Sequence, residues 1–207
     1  MRVFFQISTA FALVIRAATP AIAQEGDPNA LACAVKSGAE QIAGCTAWIE
    51  SGKLKDTDAE KAFFIRGYAN YIEKDYAHAI ADFSVAIRLK THNSGALLAR
   101  ANTYLDQGDF ARAVSDYDQV IRRNPRQSNA FNNRGWAYYR LKEYTRAIAD
   151  YNTVIRRDPG NVKALYIRGL AKAKLGHSQA SKADIARAIA IDPDIANKFA
   201  KATGQPS

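Results

Sequence analysis

The chain has 207 residues, 48% of them hydrophobic and 24% charged, a balance that suits a folded protein and excludes global disorder. That length makes one or two domains. The formal net charge of +9 directs attention to anionic partners.

Met1-Arg2 carries positive charge, Val3 to Ile15 is a mostly apolar run, and Pro20 precedes Ala21-Ile22-Ala23, a small-x-small pattern before Gln24. This is the layout of a secretory signal peptide over residues 1–23, cleaved after Ala23, and its apolar run is too short to span a bilayer well. Arg16 and the acid-free, Ser- and Thr-bearing start also fit an organellar transit peptide, but export to the periplasm is the better reading. Cleavage would take only Arg2 and Arg16 from the 29 basic residues, so the mature chain stays basic. An exported protein meets acidic proteins or anionic envelope surfaces rather than nucleic acid, and no transmembrane segment is expected in the mature chain. Past the cleavage site, Asp27 as N-cap with Pro28 at the first helical position opens a helix in residues 24–59. The two cysteines, Cys33 and Cys45, form an even pair, which in an exported chain reads as a structural disulfide. A lipid anchor on Cys33 is disfavoured, because Glu25 to Asn29 interrupts the apolar segment that a lipoprotein signal needs.

From residue 60 onward the chain repeats itself every 34 residues. Asp82, Asp116, Asp150 and Asp184 form one column, and Arg66, Arg100, Arg134 and Arg168 another. Small residues recur at Gly67, Ala101, Gly135 and Gly169, and again at Ala79, Ala113, Ala147 and Ser181. Large residues follow at Phe83, Tyr117, Tyr151 and Ile185; Pro125, Pro159 and Pro193 close three repeats, with Thr91 in the first. Within a repeat the spacing is helical: Phe131, Gly135 and Tyr138 share one face, and Ala147, Tyr151, Val154 and Ile155 another. A turn at Leu141-Lys142-Glu143 separates the two helices, and Pro159 stops the second. Each helix pair is too small to bury its own apolar face, so the pairs must stack.

Phe131, Gly135, Tyr138, Ala147, Tyr151 and Pro159 together resemble the tetratricopeptide repeat, and the resemblance extends over residues 60–195. It implies an all-α, right-handed solenoid of antiparallel helix hairpins, with repeats at 60–93, 94–127, 128–161 and 162–195. The fourth departs most, with Lys172, Ser181 and Ile185 at pattern positions. Residues 196–207 would then supply a capping helix and tail; Ile195 to Thr203 are amphipathic, with Ala196, Phe199 and Ala200 set to cover the last repeat. Carried back one period, the register makes residues 24–59 a degenerate hairpin. It puts Cys33 and Cys45 at places that lie opposite each other across a hairpin of this family.

The Arg66, Asp82, Arg100, Asp116, Arg134, Asp150, Arg168 and Asp184 columns flank core positions, and partly buried charges need partners, so structural ion pairs are expected. His78, His92 and His177 share no metal-ligand spacing, and neither a phosphate-binding glycine loop nor a nucleophile elbow is present. No catalytic residues, metal or cofactor are therefore expected. The inner wall of a solenoid of this family is lined by its first helices. On that wall Tyr68, Tyr71, Asn102, Asn132, Asn133, Trp136, Tyr139, Lys163 and Tyr166 remain after core packing is assigned, together with Phe64, Arg140 and Lys174. Exposed aromatics among amides suit recognition of a peptide or protein segment. Family members that clamp a C-terminal carboxylate use five polar places. Asn102, Asn133 and Lys163 match three of these, whereas Leu98 and Ile167 replace two cations. The expectation is a non-enzymatic scaffold that binds another protein or peptide, of unassigned oligomeric state, with a self-associating envelope component as the alternative.

Overall fold

The structure is a computed structural model that describes residues 27–52, 54–90 and 93–204. The expected signal peptide, Thr91 and His92 lie outside the described residues. Among the described residues there are eleven helices and no strands. They are α1 (Pro28–Val35), α2 (Gly38–Glu50), α3 (Asp56–Ile72), α4 (Tyr76–Leu89), α5 (Ser94–Gln107), α6 (Phe110–Arg123), α7 (Ser128–Arg140), α8 (Tyr144–Arg157), α9 (Val162–Lys174), α10 (Ser178–Ile191) and α11 (Ile195–Thr203). The chain divides into two compact blocks, one ending at Gln107 and the other beginning at Gly108.

In the N-terminal block, Asp27 caps α1 by accepting a hydrogen bond from the Asn29 amide at 2.8 Å, with Pro28 in the first turn where its missing N–H costs nothing. Cys33 on α1 is joined to Cys45 on α2 by a disulfide. The helices touch here because Gly44 has no side chain: a Cβ would stand 2.6 Å from that of Ala32 and 2.8 Å from the Cys33 amide nitrogen. Around this contact Ala30, Ala34, Trp48, Ala62 and Ile65 bury together, so the hairpin shares its core with α3. Helix α3 starts at Asp56, four residues before Glu60, and is longer than every other helix described. A second core, of Ala79, Phe83 and Ala99, ties α3, α4 and α5, with Phe64, Tyr68 and Tyr71 packed against it.

The C-terminal block repeats the scheme from α6 to α10 and adds α11. Tyr117, Tyr151 and Leu165 are among its fully buried side chains. Gly169 marks the crossing of α9 and α10, where an added Cβ would meet Ile185 Cγ1 at 2.7 Å and the Ser181 carbonyl at 3.2 Å. Within repeats, the turns from first to second helix all pass through a left-handed residue: Lys74 (φ 64°), Gly108 (φ 90°), Lys142 (φ 63°) and Gly176 (φ 79°). This 34-residue column mixes glycine with lysine and is hard to see in the sequence. A lysine tolerates positive φ at a cost of about 1 kcal/mol, which the packed helices on either side can override.

Candidate functional site

The charge columns turn out to bridge in two directions. Arg66 donates to both carboxylate oxygens of Asp82 at 2.9 and 2.8 Å, Arg134 to those of Asp150 at 2.8 and 2.6 Å, and Arg168 to those of Asp184 at 2.7 and 2.6 Å. The fork geometry of guanidinium against carboxylate favours such paired bonds. The third guanidinium nitrogen reaches back to the preceding hairpin: Arg100 donates to Ser84 Oγ at 2.9 Å, Arg134 to Asp118 Oδ1 at 2.6 Å, and Arg168 to Asn152 Oδ1 at 2.7 Å. Arg66 finds Thr46 Oγ1 at 3.1 Å. Ser84, Asp118 and Asn152 were missed by the sequence reading. Their period is 34, but their chemistry changes from hydroxyl to carboxylate to amide, and only acceptor capacity is shared. Arg100 and Asp116 belong to different blocks, and Asp116 is buried.

Lys172, at a place where the family pattern has tyrosine, puts its ammonium 2.8 Å from Asp184. Burial alone would raise the Asp184 carboxyl, but hydrogen bonds from Arg168 and Lys172, with their charges, hold it below its ordinary value of 3.8.

In the N-terminal block the expected site residues Tyr68 and Tyr71 lie on α3 in a run of rings with Tyr76, at centroid distances of 6.2 and 6.1 Å. The Tyr71 hydroxyl donates to Asp106 of α5 at 2.5 Å. Desolvation raises the Asp106 carboxyl despite that hydrogen bond, and it raises the Tyr71 hydroxyl beyond its usual range as well. Asp106 is a second residue that the sequence reading did not single out; it is 35 positions from Tyr71, and nothing local links them. Asn102 is half-buried on the same helix as Asp106.

In the C-terminal block Trp136 and Tyr139 stack along α7 with centroids 5.5 Å apart and planes at 13°. Tyr144 meets the edge of Tyr139 at 5.6 Å, and the Arg140 guanidinium lies over Trp136 at 5.4 Å and Phe110 at 4.5 Å. Phe199 of α11 then completes the cluster, edge-on to Trp136 at 5.7 Å and to Tyr166 of α9 at 5.3 Å. Trp136 is 3% exposed, and Tyr139 and Tyr166 are each 7% exposed. The sequence reading expected exposed aromatics here, and the structure corrects that: the rings cover one another, and the C-terminal helix covers them. Phe199 also departs from the expected cover for the last repeat alone, since it reaches the first helix of the repeat before.

Of the polar members of the set, Asn133 is as buried as the rings, at 8% exposed. Asn132 is half-buried and donates to Asn133 Oδ1 at 3.4 Å; Lys163 is half-buried, and desolvation lowers its pKa. Leu98 and Ile167, at the two places that lack the clamp's cations, are buried. Arg157, exposed at the end of α8, donates to the Pro125 carbonyl at 2.6 Å and to Ser128 Oγ at 3.2 Å. Among the described residues no three His, Cys, Asp or Glu side chains could together hold a metal, and no helix is long and apolar enough to cross a membrane.

The tetratricopeptide repeat family model matches residues 98–162 and 143–196. YrrB, a TPR protein whose crystal structure is described as having an unusual peptide-binding site, superposes with a TM-score of 0.67 at 19% identity, over 74% of this chain and 77% of that one. MamA 41-end from Desulfovibrio magneticus RS-1 gives 0.67 at 15% identity, over 88% and 96%. The Arabidopsis OM64 TPR domain gives 0.54 at 24% identity, over 57% and 98%. At these identities the likeness is one of fold. No curated protein matches the sequence. The 34-residue register, the hairpins built on it, the family match and these structures agree: the chain is a tetratricopeptide-repeat protein.

Proposed function

We propose that this chain is an exported, non-enzymatic interaction scaffold that recognises a protein or peptide segment on the first-helix faces of its repeats. The observation that carries the reading is the cluster of Trp136, Tyr139 and Tyr166 on α7 and α9, bordered by Asn132, Asn133 and Lys163. Large rings held in place by stacking would give contact area at little entropic cost once the C-terminal helix uncovers them, and Asn132 and Lys163, which stay half-buried, can bond to a partner's backbone. Peptide binding by YrrB, a protein of similar fold, supports this direction without fixing the partner. The N-terminal residues argue for periplasmic delivery with cleavage after Ala23, and a Cys33–Cys45 disulfide suits an oxidising compartment.

A photo-crosslinking amino acid at Asn132 or Asn102 tests the surface, with Lys182 on the exposed side of α10 as the comparison site. Expressed in the native envelope, the first-helix positions should give partner adducts that the Lys182 position does not. Adducts confined to Lys182 would place recognition on the second helices and refute the reading.

A further inference from the structure

We propose that Trp136 and Tyr166 form a seat for a single aromatic side chain. Phe199 of α11 fills this seat in the unliganded chain, and a partner enters by presenting an aromatic residue of its own and displacing α11. The inference rests on the reading of the first-helix face as the recognition surface and names both its present occupant and the chemistry of its replacement.

The Trp136 side of the seat has support that does not involve Phe199. Trp136 is oriented by its stack on Tyr139 and by the Arg140 guanidinium, which is itself held against Phe110. Tyr166 comes from the first helix of the following repeat, so the two rings stand on separate, rigid elements. Phe199 presents itself edge-on to one, at 89°, and tilted to the other, at 61°, the geometry that aromatic quadrupoles favour.

The occupant, by contrast, is weakly attached. Helix α11 has nine residues, a length that is marginal in water without tertiary support. Its N-cap, Asp194, makes no side-chain capping bond, and Ile195 is its one fully buried residue. Its ion pair, Lys198 with Asp192 at 2.8 Å, reaches only the residue that ends α10, next to the start of α11 itself. Asn197, Lys198 and Lys201 face solvent. Ile195 is the most enclosed apolar side chain of α11, Ala196, Phe199, Ala200 and Ala202 are half-buried, and Phe199 is the large one among these, sitting where the surface would grip a ligand. A helix that merely closed the array would need to touch the last repeat only, whereas Phe199 spans from the last repeat to the one before.

Tethering keeps α11 at a high effective concentration over the seat, so an incoming segment binds with an affinity reduced by the fraction of time that the seat is vacant. The incoming segment is a short amphipathic helix with one aromatic anchor, the pattern of α11 itself.

The probe is a fluorescein-labelled peptide carrying residues 192–204, titrated by anisotropy against the full chain. It should bind the Phe199→Ala chain at least about tenfold more tightly than the unmodified chain, because the seat is then empty. The Ile195→Ser chain, which keeps Phe199 but loosens α11 at its other contact, should also gain, with far-UV circular dichroism showing that both variants remain folded. A peptide carrying Phe199→Ala should show no gain on either. Equal affinity for the unmodified and Phe199→Ala chains, binding to neither, or undiminished binding of the alanine peptide would each overturn the proposal. Crosslinks at Asn132 without a peptide gain would leave the recognition surface standing and remove α11 as its occupant. A peptide gain with crosslinks only at Lys182 would do the reverse.

Discussion

Replacing Arg134 by alanine removes three short hydrogen bonds at once, two to Asp150 and one to Asp118. The two acceptors respond differently. The Asp118 side chain is 35% exposed and can rehydrate, but that of Asp150 is 5% exposed and would be left as a stranded carboxylate between α7 and α8. Removing one partner of a buried pair costs about 3–5 kcal/mol. Because the Arg134 side chain is itself 17% exposed, water can enter the vacated space, and the lower end of that range, about 3 kcal/mol, is expected. Urea denaturation followed by circular dichroism should show the loss as a fall in midpoint, with Lys182→Ala, on the exposed side of α10, within about 0.5 kcal/mol of the unmodified chain. Asp118→Ala should cost clearly less than Asp150→Ala. The double replacement Arg134→Met with Asp150→Leu should recover most of the loss, since apolar groups of similar size leave no charge unpaired. If Arg134→Ala and Lys182→Ala shift the midpoint alike, the arginine column is solvated decoration and holds nothing together.

The Tyr151 hydroxyl is buried without a hydrogen-bond partner, and the first repeat has Phe83 at the same place. Tyr151→Phe should therefore raise stability by about 1 kcal/mol in the same denaturation assay. The Asp184 carboxyl is held below its ordinary value of 3.8, so the stability it confers is complete above that pH and is lost as pH falls through the lower folded value. Lys172→Met should accordingly weaken the chain at neutral pH and lose its effect in acid, as thermal melts across that window would show. Reduction of the Cys33–Cys45 disulfide, which closes a loop of 12 residues, should cost about 3 kcal/mol, and thiol counting on exported protein under denaturing, non-reducing conditions should find no free thiol.

The hairpins were legible because a repeated core writes itself many times. Gly67, Gly135 and Gly169 each sit where an added Cβ would press on the second helix, and the aspartates at 82, 150 and 184 each meet the arginine 16 places earlier. Phase and residue type were enough. The inner face was legible only in its membership. Trp136, Tyr139 and Tyr166 were found by subtracting the core, but subtraction leaves exposed whatever it does not assign, and it had no means of bringing Phe199 across two repeats. Tyr71 with Asp106 failed for the same reason: each contact occurs once, so no column announces it.

The backward-reaching bonds of the arginines bear on how the repeats hold together. A first helix whose arginine bonded only forward, to the aspartate of its own second helix, would stabilise one hairpin. The additional bonds from Arg100 to Ser84, Arg134 to Asp118 and Arg168 to Asn152 make the same side chain a tie to the previous hairpin. In an array whose stability is a sum of repeat terms and nearest-neighbour terms, Arg134 and Arg168 enter both sums. The acceptor can drift from hydroxyl to carboxylate to amide because the requirement is a lone pair in the right place. At Arg66 the acceptor shifts to Thr46 on α2, so the disulfide-closed hairpin joins the array by the same device with different residues. This arginine network shares no residue with the cluster of Trp136, Tyr139, Tyr166 and Phe199, so the two can be perturbed separately.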